Sequence, residues 1–402
     1  MSQLDRRQAL RLLAALGAAG AAAPVLSACS SGADDNANEG TPVRTGPPVK
    51  IGMVVPQTGL YKPFGDDMAN GFQLYLRLHG NRLGGRDVEL LTADEGETAE
   101  TGVAAATSLI KDKNVLALTG VATNQVILAI RDLVESGPVP LIASNASPGS
   151  LQGTKFIWRT SFVASEPGAA LAPWVTDHVS GTLAVVAADY PGDRDEVNAF
   201  LEAFNSAGGK LVGPPRFTPT STKDFGPVFA QVKASGAGGM CCFYTGTAAV
   251  DFVKQYKAAN FGAGFRVFAP GSLTEGFALK QQGEAARGIF TALNYSPDLD
   301  NATNRRFIAD YQKAFNVVPS TYAVASYDAA NVLDKAIAGT TEELTPLSLN
   351  AAVGRLGQID SPRGGWQFTQ NRTPLQKWYL RQVRNDGAAL SNVLTAELTT
   401  LG

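Results

Sequence analysis

The side chains that most often perform acid–base or metal chemistry are scarce in this sequence of 402 residues. Its two histidines, His79 and His178, each stand alone in a helical pattern, where a solvated or capping role is expected. No group of histidines and cysteines has the spacing of a metal site. Nucleophile-elbow, P-loop and dinucleotide-binding glycine motifs are also missing. The sequence therefore favours binding over catalysis, and it predicts no catalytic residue, metal or cofactor.

One acidic pair could still take part in a reaction. Asp94 and Glu95 follow each other at the end of a predicted strand. Two carboxylates at one site can divide acid and base roles between them. A solvated strand end is the favoured alternative, and an exported hydrolase stays open as a competing function.

Small polar residues at the ends of two predicted strands indicate a site for an anion. Residues 122–125 (Ala-Thr-Asn-Gln) follow one strand and open a helix, and residues 144–147 (Ser-Asn-Ala-Ser) follow the next strand. Free backbone N–H groups at the start of a helix attract negative charge. We expect Asn124 and Ser147 to hold a carboxylate there, with ordinary helix caps as the alternative.

Aromatic residues end two strands in the second half of the chain. Asp189 to Gly192 includes Tyr190, and Tyr244 to Gly246 follows an apolar run. A tyrosine combines a large apolar face with a polar tip, which suits the wall of a small-molecule site. These two segments are expected to face the polar strand ends of the first half.

The elements that must position these residues alternate apolar runs with helical patterns, which is typical of βαβ units. The first half predicts strands at 49–55, 87–94, 115–120 and 139–144 and helices at 67–78, 98–112 and around 127–134. The pattern restarts with strands at 182–189, 240–246, 265–272 and 288–293, helices near 194–206, 225–235, 248–259, 301–315 and 321–338, and a hairpin within 365–383. The predicted class is α/β, with two doubly wound lobes whose strand ends share one cleft.

Length and charge agree with this organisation. The residues after position 48 are too many for one core, because single cores stop growing near 250–300 residues. The formal net charge is −2, so there is no basic excess to hold a nucleic acid. Cys241 and Cys242 lie in an apolar run and are expected to be buried strand thiols, since a bond between neighbouring cysteines strains the backbone.

The amino terminus predicts export. Arg6, Arg7 and Arg11 precede an uncharged run that closes on Leu26-Ser27-Ala28-Cys29, which is the pattern of a secretory signal. The end of the run resembles the lipobox of bacterial lipoproteins, which implies that residues 1–28 are removed and that Cys29 carries lipid. A membrane span is the alternative, but the run is shorter than the ~20 strongly apolar residues that a span needs.

The residues after the signal predict a flexible tether. Positions 29–48 are dominated by Gly, Ser, Asn, Asp and Pro, so they contain almost nothing that could enter a core. The expected arrangement is a folded body anchored to the cell membrane and facing the extracytoplasmic space.

Short segments in a fixed order run through residues 49–385. They are Val49 to Pro56, Thr58-Gly59, Phe64-Gly65, Leu83 to Arg86, Pro140 to Ile142, Ser144 to Ala146, Trp158 to Thr160, Ala188 to Tyr190, Pro319-Ser320, Tyr327 to Ala329, Ser361 to Gly364, Thr373 to Gln376 and Tyr379 to Arg381. In this order they resemble the branched-chain amino acid (Leu/Ile/Val-binding) family of periplasmic binding proteins. The resemblance implies a type I fold with three crossovers between the lobes, and delivery of a small solute to the permease of an ABC importer.

The resemblance also implies lobe limits and ligand positions. Lobe 1 would hold residues 49–161 plus 292–375, and lobe 2 would hold 162–291 plus 376–402. The family's ligand positions fall on Phe64, Asn124, Asn145, Ser147 and Tyr322 in lobe 1 and on Tyr190, Tyr244, Gly246 and Ser272 in lobe 2. The protein is expected to act as a monomer, and a ligand-sensing receptor on the same fold is the alternative function.

Two departures from the family pattern affect the expected ligand. The aromatic residue of amino-acid binders aligns with Gly192, and the acidic partner of an α-ammonium aligns with Ser272. Glu275 is close in sequence but is expected in the first turn of the next helix. Because a buried ammonium needs a partner, a carboxylate or amide without one, such as an aromatic acid, is favoured. An aliphatic amino acid is the alternative.

Overall fold

The computed structural model describes residues 46–190, 194–387 and 389–402. The predicted signal peptide, Cys29 and most of the predicted tether lie outside these residues, and so does Gly192. Within the described residues, every helix is too short or too polar to cross a membrane.

The first sheet has six strands and is built from the first part of the chain. Its strands are β1 (Val49–Val55), β2 (Arg82–Leu83), β3 (Arg86–Asp94), β4 (Ala117–Gly120), β5 (Leu141–Ala143) and β6 (Ile157–Arg159). The helices between them are α1 (Lys62–Leu78), α2 (Ala99–Thr107) and α3 (Asn124–Ser136), with a π-helical turn at Ser108–Asp112 and a 3-10 turn at Gly149–Leu151. The strand order is β2-β3-β1-β4-β5-β6, and the pairs are parallel except β2 with β3.

The second sheet has eight strands and takes its last strands from the carboxyl end of the chain. The strands are β7 (Leu183–Ala188), β8 (Arg216–Thr218), β9 (Gly239–Phe243), β10 (Arg266–Pro270), β11 (Phe290–Leu293), β12 (Gln367–Phe368), β13 (Pro374–Asp386) and β14 (Ala389–Leu401). The helices are α4 (Glu166–His178), α5 (Asp195–Ser206), α6 (Gly226–Ala234), α7 (Gly246–Ala259), α8 (Phe277–Gln282), α9 (Ala302–Phe315), α10 (Thr321–Gly339) and α11 (Pro346–Val353), with 3-10 turns at Gly271–Thr274 and Gly283–Ala286. The order is β12-β13-β11-β10-β9-β7-β8, and β14 pairs with β13.

Alternation along single strands shows that both sheets are covered on both faces. In β1, Ile51 and Met53 enter a core with α1, α10 and α11, whereas Val54 enters a core with α2 and α3. In β7, Val186 and Val185 likewise enter two different cores. Successive side chains of a strand point to opposite faces, so a continuous apolar run such as β1 belongs in a sheet buried on both sides.

The chain crosses between the sheets three times. It leaves the first sheet after β6, returns after β11 to pack α10 and α11 against the first core, and re-enters the second sheet through β12 and β13. We call the first sheet with α1–α3 and α9–α11 the first lobe, since α9 packs against α1 and α10, and the second sheet with α4–α8 the second lobe. The predicted α/β class with two sheet-containing lobes is confirmed.

The carboxyl end is where the predicted elements differ most from the structure. The predicted hairpin exists as β12 and β13, which pair Gln367 with Leu375. The longer partner of β13 is β14, which the sequence did not indicate. Its residues mix small polar and aliphatic side chains, and none is fully buried, so no apolar run marks this strand.

Candidate ligand-binding cleft

The structure brings three predicted site residues together at the carboxyl ends of β4 and β5. These strands are parallel neighbours, with Gly120 beside Ala143. The Asn124 Oδ1 accepts a hydrogen bond of 3.1 Å from the backbone N–H of Ser147. The Asn145 Nδ2 donates to the Ala122 carbonyl oxygen at 2.6 Å. The two asparagines therefore fasten the two strand-end loops to each other.

The turn between β4 and α3 contains a strained residue. Val121 has a φ of +63°, which is rare for a β-branched side chain. Its N–H donates to the Val54 carbonyl oxygen at 2.7 Å, and its own carbonyl accepts from Ala146 N at 3.0 Å. Such strain persists only where the surroundings determine the conformation, and it is concentrated at functional sites.

The hydroxyl of Ser147 is buried at this edge. The residue is 3% exposed, and its Oγ has no hydrogen-bond partner among the described residues. The Oγ of the fully buried Ser144 is in the same state. An unpaired buried hydroxyl costs free energy, so the Ser147 hydroxyl is a donor that a ligand can satisfy.

Glu95 already occupies part of the helix start that the sequence assigned to a ligand anion. Its Oε2 accepts from Ala122 N at 2.7 Å, and its Oε1 accepts from Thr123 N at 2.9 Å and from Thr123 Oγ1 at 2.8 Å. Glu95 is fully buried, and burial raises its pKa to about 7 against the opposing effect of these hydrogen bonds. The expectation that Asp94 and Glu95 form a solvated strand end is therefore wrong for Glu95.

Aromatic side chains from both lobes meet around Phe64. Its ring makes edge-to-face contacts with Tyr322 at 4.8 Å and with Phe277 at 5.4 Å between centroids. Tyr322 is also hydrogen-bonded to the side chain of Thr245. Gly246 has a φ of +64°, and a Cβ added there would lie 3.9 Å from Phe64 Cε2. We call Phe64, Tyr322 and Phe277 the aromatic cluster.

The sequence predicted Phe64, Tyr322 and Gly246, and Thr245 lies inside the predicted segment Tyr244 to Gly246, but Phe277 was missed. Phe277 is the first residue of α8, and Thr245 is the N-cap of α7. Thr245 lies at the end of the predicted strand 240–246, whereas Phe277 lies well past the predicted strand 265–272, so a strand-end position did not mark it.

Tyr244 and Tyr190 are placed differently from the aromatic cluster. Tyr244 is 2% exposed and stacks on Phe252 at 4.3 Å within the core of the second lobe. Its hydroxyl lies 3.1 Å from Thr218 Oγ1. Burial raises the pKa of Tyr244. Tyr190 is partly buried against the same core. The four predicted aromatic residues thus form two groups in the structure, two in each lobe.

The neighbourhood of Ser272 contains a carboxylate that is already paired. Ser272 lies in the 3-10 turn Gly271–Thr274. The Glu275 carboxylate forms an ion pair of 2.8 Å with Arg381 and accepts from Thr321 N at 2.8 Å. Helix α8 begins at Phe277, so the expectation that Glu275 sits in its first turn is wrong. Both carboxylate oxygens of Glu275 are engaged by protein donors.

A buried polar network joins the three crossings between the lobes. Arg363 donates to the Ser161 carbonyl oxygen at 3.1 Å and pairs with Asp328 at 3.0 Å. Gln376 Nε2 donates to the same carbonyl at 2.8 Å, and Asn294 Nδ2 donates to Gln376 Oε1 at 2.8 Å. Burial raises the pKa of Asp328 to about 6 and lowers the pKa of Arg363. The sequence did not indicate this network, because its members are far apart in the chain.

The histidines and cysteines have structural roles. His79 stacks on Tyr75, and its Nδ1 lies 2.8 Å from the Tyr75 carbonyl oxygen. His178 contacts Trp174 in the same way. The expected solvated or capping role is confirmed for both, since each ring is exposed and lies against a carbonyl oxygen of the last helical turn. The residues of the described ranges contain no group of three or more His, Cys, Asp or Glu that could hold a metal ion.

Cys241 and Cys242 are buried free thiols, as predicted. They belong to the two cores on opposite faces of the second sheet. Their side chains therefore point away from each other, as successive strand residues do.

Comparison with known proteins identifies relatives over most of the chain. A family model described as periplasmic binding protein matches residues 48–388. The Leu/Ile/Val-binding protein homolog 6 of Brucella melitensis is 30% identical over 343 residues, covering 83% of this chain and 87% of the relative.

Two solved solute-binding proteins of ABC transporters are similar in structure. One, from Rhodopseudomonas palustris BisB5 in complex with 3,4-dihydroxybenzoic acid, has a TM-score of 0.83 and 27% identity, covering 88% of this chain and 98% of that one. The other, from Rhodopseudomonas palustris HaA2 in complex with p-hydroxybenzoic acid, has a TM-score of 0.81 and 29% identity, covering 87% and 96%.

Proposed function

Because the chain belongs to the periplasmic binding protein family, we propose that it captures an aromatic carboxylate between its two lobes for an ABC importer. The protein is a solute-binding component of an ABC transporter and works outside the cytoplasm. A ligand that binds the closed form better than the open form shifts the population towards closure. The permease can then recognise the closed form, which is populated mainly when the cleft is occupied.

The proposal that the ligand is an aromatic acid rests on the pairing of the Glu275 carboxylate with protein donors. Ser272 has no charge, and the nearby Glu275 is held by Arg381 and by Thr321 N. Because Arg381 already neutralises the charge of Glu275, this carboxylate would not supply a counter-charge to the ammonium of an amino-acid ligand, and a buried ammonium without one costs several kcal/mol. An aromatic acid has no such group, and its ring can pack against the aromatic cluster. Relatives in complex with hydroxylated benzoic acids support this choice.

The carboxylate of the ligand would bind at the edge formed by β4 and β5. There the Ser147 hydroxyl has no hydrogen-bond partner within the part of the chain that the structure describes, and Asn124 fixes the loop that carries it. Hydrogen bonds to a charged group are stronger than neutral ones. The proposed ligand contacts are Phe64, Asn124, Asn145, Ser147, Tyr190, Tyr244, Gly246, Ser272 and Tyr322.

The Ser147→Ala variant tests the carboxylate position. Losing one hydrogen bond to a charged group costs about 1.5–3 kcal/mol, which is roughly a tenfold to hundredfold increase in Kd. Ser150→Ala is the matched control, because Ser150 is exposed three residues further along the same loop. Titration calorimetry with 4-hydroxybenzoate measures both. Equal affinity of the Ser147 variant and the control would remove Ser147 from the site.

We also propose that the mature protein is a monomer held to the membrane by lipid on Cys29, after removal of residues 1–28. Residues 29–48 would form the tether. The motif Leu26-Ser27-Ala28-Cys29 behind the apolar run supports this proposal. A Cys29→Ala variant should leave the membrane fraction or accumulate unprocessed. Processing and membrane binding that persist in this variant would refute the anchor.

The lobe limits of 49–161 plus 292–375 and 162–291 plus 376–402 are proposed as well. The division of β1–β6 and β7–β14 between two sheets supports them, except at β12 (Gln367–Phe368), which pairs with the second sheet although the range 292–375 assigns it to the first lobe. Two of the limits fall within β11 and β13, so the crossings extend over a few residues on either side.

A further inference from the structure

A hydrogen bond joins the two lobes next to the proposed carboxylate position. The backbone N–H of Gly149, in the first lobe, donates to Asp195 Oδ2, in the second lobe, at 2.9 Å. Gly149 lies two residues after Ser147, and Asp195 is the first residue of α5. The bond therefore connects the loop that follows β5 with the helix that follows β7.

The local structure explains why this bond forms. Gly149 begins the 3-10 turn Gly149–Leu151, and the first N–H groups of a helical turn lack acceptors within it. Asp195 supplies that acceptor from the other lobe. A Cβ added to Gly149 would lie 3.1 Å from Asp195 Oδ2, so the glycine allows the close approach.

We propose that Asp195 and Gly149 form a latch that holds the lobes closed and slows ligand release without touching the ligand. Asp195 is thus a positioning residue for the proposed binding function. The bond must break whenever the two lobes separate, so it contributes only to the closed form. A contact of this kind shifts the equilibrium towards closure. Its loss changes the dissociation rate more than the association rate.

Two substitutions remove the latch from opposite sides. Asp195→Ala removes the acceptor. Gly149→Pro removes the donor, and the first position of a helical turn tolerates proline. Because the proline ring would also press on Asp195 Oδ2, this substitution is introduced in the Asp195→Ala background, where that contact is gone. The preceding residue, Pro148, has φ −64° and ψ 149°, which suits a residue before proline. If the hydrogen bond is what links the two residues, Gly149→Pro should add nothing to the effect of Asp195→Ala.

A matched control exists within the second lobe. Asp224 Oδ1 accepts from Gly226 N at 2.9 Å, which is the same type of bond at the same distance. It does not cross between the lobes. Asp224→Ala should therefore leave ligand release unchanged.

Stopped-flow kinetics with 4-hydroxybenzoate tests the latch. Because this bond is only partly buried, water weakens its contribution. We expect Asp195→Ala and the double variant to release ligand roughly five to ten times faster than the parent, with association changed less than twofold. Unchanged release in Asp195→Ala would overturn the latch, and so would additive effects in the double variant. The midpoint of urea unfolding, measured in parallel, separates this effect from loss of folding.

A second measurement makes failure of the latch distinguishable from failure of the proposed ligand. Labels on Lys113→Cys and Glu202→Cys, which replace exposed residues of the two lobes, report the interlobe distance by energy transfer in the unliganded protein. Asp195→Ala should lengthen this distance, and Asp224→Ala should not. An unchanged distance would overturn the latch even if the parent protein binds no aromatic acid.

Discussion

The buried ion pair between Glu275 and Arg381 allows a direct test of how much one buried charge pair near the cleft contributes to the free energy of unfolding. The two side chains are 4% and 1% exposed, and their charged atoms are 2.8 Å apart. In Arg381→Met the Glu275 carboxylate keeps the Thr321 N–H but loses its counter-charge. Removing one partner of a buried pair costs about 3–5 kcal/mol of folding free energy, because the other charge is left uncompensated.

The same strand provides a matched control. Lys377 pairs with Glu397 at 2.9 Å, but these side chains are 56% and 50% exposed. Exposed pairs contribute only about 0–1 kcal/mol, because water screens them. Lys377→Met should therefore change the stability little, although the distance within the pair is almost the same.

Urea unfolding followed by circular dichroism measures both variants. We expect a large fall in the midpoint for Arg381→Met and a small one for Lys377→Met. The double variant Glu275→Leu, Arg381→Met should recover much of the loss, since apolar replacement of a buried pair is often neutral. If the two single variants lose equal stability, the argument that burial determines how much an ion pair stabilises the fold is refuted.

Two further predictions concern α1. Asp67 accepts from Ser320 Oγ at 2.6 Å, and burial raises its pKa to about 7. The stabilising contribution of the protonated Asp67 carboxyl group is therefore complete below about pH 4 and is lost as the pH rises through about 7. Asp67→Asn should stabilise the protein by roughly 1–3 kcal/mol at pH 8 and by much less at pH 4.5; an identical change at both pH values would contradict this. A Cβ on Gly71 would overlap the Ala323 carbonyl oxygen, whereas Gly357 has open space. Gly71→Ala should thus lose about 1–3 kcal/mol in thermal unfolding while Gly357→Ala stays within about 0.5 kcal/mol, and similar values for both would contradict it.

Local patterns predicted the parts of the fold that depend on local sequence. β1 was predicted with its observed limits, Val49 to Val55, because a continuous apolar run is what a strand buried on both faces requires. Asn124 and Ser147 were predicted together because parallel neighbouring strands end at one edge. β6 and β8 have three residues each and include an arginine, so neither forms the continuous apolar run that revealed the equally short β5 within 139–144.

The features that the sequence missed depend on contacts between distant residues. Glu95 was expected to be solvated because it ends a strand, but the start of α3 buries it and supplies its hydrogen-bond donors. Arg363 similarly meets Ser161 only after the lobes assemble. Glu275 pairs with Arg381 only when the segment before α8 and strand β13 come together in space, so its sequence position next to Ser272 does not indicate the pairing.

Titration calorimetry of the purified protein with 4-hydroxybenzoate and with L-leucine tests the central claim most directly. The account predicts one binding site for 4-hydroxybenzoate, with a negative heat-capacity change from the burial of apolar surface, and no measurable heat of binding for L-leucine. Tight binding of L-leucine, together with no binding of 4-hydroxybenzoate, would contradict the proposal that the cleft receives an aromatic carboxylate.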